Sequence, residues 1–175
     1  MAINGKVKGG VAEREVSKML QSWWSQYEDC QFVKTPASGG WSTANVRSAF
    51  KASGDVMTTA QSFPFSVEVK RREGWSESNF MNGRKSPVWA WWHQACTQAH
   101  EMNVTPMMLF RRNRKPWWLM ISQTNLAVLN VDLTSALVCE FFDVSKHLQA
   151  NDWYPIVYDA VKFFELVQPT DCLLT

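Results

Sequence analysis

Along residues 9–24 (GGVAEREVSKMLQSWW) Val11, Ala12, Glu15, Val16, Met19, Leu20 and Trp23 recur at three- and four-residue spacing, with Arg14, Ser17, Lys18 and Gln21 between them. That period predicts an amphipathic helix. A short strand is expected over 30–35 (CQFVKT), after the turn at 28–30. Residues 36–54 are rich in Gly, Ser, Ala and Thr and read as a long loop, of a length uncommon in a compact domain and usually functional or disordered. Two strands follow, at 55–60 (DVMTTA) and at 63–70 (FPFSVEVK), where polar and apolar positions alternate. The polar stretch 71–87 predicts another loop, and 88–102 a helix with Pro87 at a permitted start. Residues 106–110 and 117–121 read as strands joined by the basic turn 111–116 (RRNRKP). Beyond Asn125 the pattern weakens to strands at 126–131 and 139–142 and a helix at 155–166. This order predicts an α/β fold around a mixed sheet, without separate domains.

Composition narrows the class. With 46% hydrophobic and 19% charged residues in 175, the chain can fill a core, which excludes general disorder, collagen and coiled coil. No apolar run approaches the roughly 18 residues of a membrane helix, and the start lacks a secretory pattern. Cys30, Cys96, Cys139 and Cys172 are dispersed, with no CxxC pair, which fits a reducing cytosol better than a zinc site or disulfide scaffold. Net charge is +2 but unevenly placed. Residues 130–175 carry two basic and seven acidic side chains, a net of −5, so the body before them stands at +7. A positive body suits a polyanionic partner as well as it suits plain solvation.

Candidate chemistry centres on Gly54-Asp55 and Glu68-Val69-Lys70. Alternation along a strand puts Glu68 and Lys70 on one face with Val69 opposite. If the Asp55 strand pairs with it as a hairpin, two carboxylates and an ammonium converge. Crowded carboxylates repel, and a divalent cation with a preference for oxygen relieves that repulsion. Such a cation polarises a phosphate oxygen and acidifies a water molecule. An isolated ExK triplet is commonplace.

Here it is accompanied. Gly9-x-x-x-Glu13-Arg14-Glu15 on the first helix, then Gly54-Asp55, then Glu68-x-Lys70, resembles the PD-(D/E)xK nuclease superfamily, with the closest likeness to archaeal-type Holliday junction resolvases. Lys34-Thr35-Pro36-Ala37-Ser38-Gly39-Gly40 is similar to the loop of those enzymes, with Lys34 where an arginine is usual. The likeness covers roughly residues 5–121. It implies a restriction-endonuclease-like mixed sheet flanked by helices, with a nuclease core at 1–125 and a C-terminal extension at 126–175 on the same domain. It further implies a Mg2+-dependent DNA endonuclease, with Mn2+ as a substitute, that resolves branched DNA as a homodimer. Asp55 and Glu68 would be direct metal ligands, with the Val69 carbonyl beside them. Glu13 would reach the metal through water, and Lys70 would orient the attacking water and offset charge on the phosphate. Arg14, Lys34 and Ser38 would contact DNA. Glu15 lies about 200° round the helix from Glu13 and cannot share its site, so it is expected in a buried or rim pair.

The remaining candidates keep two readings each. Gln94, one turn before Gln98, is either a residue of the metal or phosphate site or solvent-exposed; His93, beside Trp91 and Trp92, is expected to be structural. Trp41 and Trp75 lie in polar loops and would either stack on unpaired bases or anchor those loops. Arg71, Arg72, Arg84, Lys85, Arg111, Arg112, Arg114 and Lys115 form three basic clusters suited to phosphates. Rival functions are a repair- or restriction-type nuclease for linear, flap or single-stranded DNA, and a non-catalytic DNA-binding module.

Overall fold

A computed structural model describes residues 5–36, 49–82, 84–122, 137–139 and 147–173. The expected strand at 126–131, together with Ser38 and Trp41, lies outside the described residues. The first helix, α1 (Gly5–Trp24), begins four residues earlier than its apolar stripe suggests. It buries Ala12, Val16, Leu20 and Trp23 of the expected stripe, together with Ser17 and Trp24 outside it, and leaves Val11, Glu15 and Met19 half-buried.

Two sheets follow. A small antiparallel one has the order β1 (Phe32–Lys34), β3 (Val56–Thr58), β2 (Lys51–Ser53). The larger, mixed sheet runs β4 (Phe65–Arg71), β5 (Thr105–Arg111), β6 (Trp118–Ser122), β8 (Pro155–Asp159), β7 (Leu137–Cys139). β4 and β5 are parallel, connected through α3 (Val88–Met102), and the other pairs are antiparallel. Alternation assigns the two faces. Val67, Val69, Met107 and Leu109 pack with the α1 core, whereas Met108 and Phe110 pack with Trp89, Trp92 and Cys96 of α3. The result is an α/β fold of the restriction-endonuclease-like type, a mixed sheet between helices.

Four expectations need correction. The Asp55 and Glu68 strands are not a hairpin: β3 pairs antiparallel with β1 and β2, and the residues just before it reach β4 through a parallel bridge between Gly54 and Val67. The stretch 155–166 is a strand followed by a helix, α4 (Ala160–Leu166). Pro155 looked like a helix start, but the cap is Asp159, whose side chain accepts from the N–H groups of Val161 and Lys162. The loop 71–87 contains a short helix, α2 (Glu77–Met81), capped by Ser76 and nailed down by fully buried Phe80. Its polar composition hid it. The long loop at 36–54 likewise ends in β2.

Candidate active site

The site forms at the outer edge of β4, the terminal strand of the large sheet. Gly54 makes the junction possible. Its φ is +75°, and a Cβ there would lie 2.3 Å from the Val67 carbonyl oxygen, so no other residue fits. The next residue is thereby stitched to the strand. The Asp55 N–H donates to the Val67 carbonyl at 2.7 Å, and its Oδ2 accepts from the Val69 N–H at 2.8 Å. On its other side the Asp55 carbonyl accepts from the Thr35 N–H at 2.9 Å, and the Thr35 hydroxyl donates to the Gly54 carbonyl.

Glu68 points to the α3 face and is only 2% exposed. It forms an ion pair with Lys70, two residues on along the same face, and Lys70 Nζ also donates to Gln94 Oε1 on α3 at 3.0 Å. From the opposite face α1 presents Glu13, whose Oε2 lies 3.1 Å from Lys34 Nζ at the end of β1. The open edge is thus flanked by α1 with Glu13 and α3 with Gln94.

Burial governs the electrostatics. It raises the Asp55 carboxyl above the usual range; the Val69 N–H opposes this, the Glu13 charge adds to it, and Lys70 and Lys34 pull it back. Glu68 is pushed up to about 7, first by burial and then by the Asp55 charge, against the hydrogen bond and charge of Lys70. The two neighbouring carboxylates resist ionising together.

Whether the residues fit a metal can be judged from their donors. Among the described residues no group of three or more His, Cys, Asp or Glu converges as a complete cage. Yet Glu68 Oε2 is buried without a hydrogen-bond partner, a cost that a bound cation would remove. Because a strand residue directs its N–H and C=O to the same edge, the Val69 carbonyl lies on the Asp55 side too. Mg2+ typically takes one or two carboxylates and completes its shell with water and phosphate oxygens. The donor set fits that cation.

Several residues sort differently from their sequence grouping. Glu15, on the far border of the α1 stripe from Glu13, pairs with Arg111 and approaches Arg71 at 3.8 Å. Arg111 also lies 4.4 Å over the Trp117 ring, and Arg71 Nε donates to Asn113 Oδ1 at 2.9 Å, so both guanidiniums are engaged within the protein. Arg112 has an ion pair with Glu73 at 3.3 Å, while Arg14, Arg72 and Arg114 are exposed. Trp75 is buried against Phe80, Trp91 and Phe110 and donates to the Arg72 carbonyl, the geometry of a loop anchor. His93 Nδ1 lies 2.8 Å from Asp152 Oδ1, away from the β4 edge, tying α3 to the segment before β8. The contact between Lys34 and Glu13 is not legible in the sequence, because nothing local marks a partner 21 residues away.

The model of a family described as "Phage putative PDDEXK endonuclease" matches residues 4–173 of the chain. The chain belongs to this family. Membership places it in the PD-(D/E)xK nuclease superfamily, in agreement with the edge-strand acids and lysine. It is also similar to Protein D14 of Escherichia phage T5, with 24% identity over 136 residues, covering 75% of this chain and 79% of that protein. No solved structure matches the chain. The narrower likeness to archaeal-type resolvases finds no counterpart in these matches. Among the described residues no helix of this family member is long and apolar enough to cross a membrane.

Proposed function

We propose that the protein is a divalent-metal-dependent DNA endonuclease, cutting phosphodiester bonds by hydrolysis at the β4 edge. One observation carries this reading: Glu68 is buried with an unpartnered oxygen beside Asp55, and Lys70 bridges it to Gln94. A protein that merely bound DNA would gain nothing from two acids crowded at a cationic surface.

Asp55, Glu68 and the Val69 carbonyl would hold the metal, with Glu13 behind a water molecule. When bound, Mg2+ supplies Lewis acidity toward the scissile phosphate and lowers the pKa of water. Lys70, anchored at two points, has one of its three ammonium hydrogens left, which would be offered to the attacking water or to the charged phosphate. Gln94 fixes the direction of that ammonium. Arg14, Arg72 and Arg114 supply exposed positive charge for the flanking backbone.

The resolvase-like motifs at 9–15 and 34–40 support branched DNA as substrate and, with it, a homodimer whose twofold axis matches two symmetric nicks. The deciding experiment compares four-way junction, flap, linear duplex and single-stranded DNA, with Mg2+ and with EDTA, for the natural protein and Asp55→Ala. Metal-dependent cutting lost in Asp55→Ala is expected. Binding without cutting of any substrate would overturn the nuclease reading. Equal cutting of all duplex forms by a monomer in sedimentation would overturn only the junction specificity.

A further inference from the structure

Around the β4 edge the charges of Glu13, Asp55 and Glu68 act on one another, and two ammonium groups lie among them. Each lysine is paired with one acid: Lys70 with Glu68 and Lys34 with Glu13. The pairs are unequal. Lys70 is 16% exposed and held a second time by Gln94, so it stays. Lys34 and Glu13 are 30% and 23% exposed, more open to solvent than Lys70 and Glu68, so their pair is the more readily exchanged. The Lys34 backbone is fixed by its register with Val56 and by the neighbouring Thr35–Asp55 bond, which leaves only its side chain to move. Gly10 faces the ammonium without a side chain; a Cβ there would lie 3.7 Å from Nζ.

We propose that Lys34 is an exchangeable counter-ion, pairing with Glu13 in the metal-free site and with a DNA phosphate once a divalent cation has taken over the charge of Glu13. This rests on the nuclease reading above. A cation entering beside Asp55 competes with Lys34 for the charge of Glu13, because both neutralise the same carboxylate. The released ammonium, its backbone still fixed beside Asp55, would then be available to a DNA phosphate. Cation and DNA must then favour each other reciprocally, each tightening the other by the same factor.

The test uses the full chain with Ca2+ in place of Mg2+, checking on a gel that the DNA stays intact. Fluorescence anisotropy of a labelled duplex gives DNA affinity with Ca2+ and with EDTA, at constant ionic strength. Calorimetry gives Ca2+ affinity with and without DNA. Lys34→Met, Lys34→Arg and, as a control for simple loss of charge, Lys18→Met on exposed α1 surface are compared. In the natural protein Ca2+ should tighten DNA binding by roughly fivefold or more, the lower end of typical coupling. Lys34→Met should bind Ca2+ alone more tightly and lose most of the coupling, whatever its affinity for DNA in EDTA. Lys34→Arg should keep it, and Lys18→Met should leave it intact. Ca2+ binding with undiminished coupling in Lys34→Met would overturn the exchange alone. Failure of the natural protein to bind any divalent cation would overturn the nuclease reading and the exchange together.

Discussion

Asp55 and Val69 are joined across the edge of β4, the Val69 N–H donating to Asp55 Oδ2 at 2.8 Å. The bond does two things. It aims one carboxylate oxygen along the strand that carries Glu68 and Lys70, and it fixes the acid by backbone rather than by a mobile side chain. A site built this way is positioned by sheet register, since the Asp55 N–H also docks on the Val67 carbonyl. Four consecutive requirements follow: a residue with positive φ, an acid, an edge strand and a parallel approach.

Gly54 bears the first requirement. Gly54→Ala would place a methyl group 2.3 Å from the Val67 carbonyl oxygen at a φ of +75°, and the obstacle is backbone, which cannot rotate aside. The bridge to β4 must open. The expected outcome is a loss of at least about 2 kcal/mol of stability by urea denaturation, with cleavage abolished even in variants rescued by low temperature. A Gly54→Ala protein of natural stability and activity would show that Asp55 is not held as described.

The acids leave a signature in stability. Glu68 stands at about 7 against an ordinary 4.5, and Asp55 is raised as well. A carboxyl raised in the fold keeps its proton while the unfolded chain has lost it. Its contribution is therefore full below about pH 4.5 and is lost as pH rises through 7. In EDTA the melting temperature of the natural protein minus that of Glu68→Gln should fall across this window and level off above it. Adding Mg2+ should reverse much of the fall, because the cation stabilises the ionised pair. A flat difference curve would mean that Glu68 is not the strained acid.

The elements with strong periodicity were legible. The apolar stripe of α1 marked its buried face, and residues 88–102 of α3 were read to the residue. The acids were legible as a motif, yet their meeting was not. Sequence alone suggested a hairpin, because two strands close in the chain usually pair. The structure instead uses β3 in a separate sheet and joins Gly54 and Asp55 to β4. At 155–166 one apolar run serves a strand and then a helix, and only the capping role of Asp159 marks the change. Side-chain partnerships across the sheet were the least legible, since Glu15 and Arg111 meet at a separation of 96 residues.

That partnership divides the basic turn. Arg111 is 16% exposed, paired with Glu15 and stacked on Trp117, whereas Arg112 is looser and Arg114 is exposed at a φ of +60°. Arg111→Ala should cost about 1–2 kcal/mol, or roughly 2–8 °C in melting temperature for a chain this size, and leave the salt dependence of DNA binding unchanged. Arg112→Ala with Arg114→Ala should do the reverse. Stability should hold, while the slope of log affinity against log salt should flatten by roughly 0.9 for each phosphate contact removed. If Arg111→Ala alone flattens the slope, its guanidinium leaves Glu15 for the DNA.

Lys70 and Gln94 provide the sharpest test of the chemistry. Lys70 is held from two sides, by the Glu68 carboxylate on its own strand and by the Gln94 amide on α3. The first hold sets its charge environment; the second sets its direction. Lys70→Met should lower the cleavage rate by roughly a hundredfold or more, the scale of losing one preorganised donor at a charged transition state, with little change in DNA affinity. Gln94→Ala removes only the direction, so a loss of about tenfold is expected, mostly in kcat. Because Gln94 acts through Lys70, the double variant should be little slower than Lys70→Met alone, a non-additivity that residues acting separately would not show. Gln94→Glu adds a further discrimination: it keeps an acceptor for the ammonium while placing another negative charge at the phosphate. It should retain the Lys70 geometry and still cleave slowly. Strict additivity of the Lys70 and Gln94 losses would instead assign Gln94 a contact of its own with the DNA.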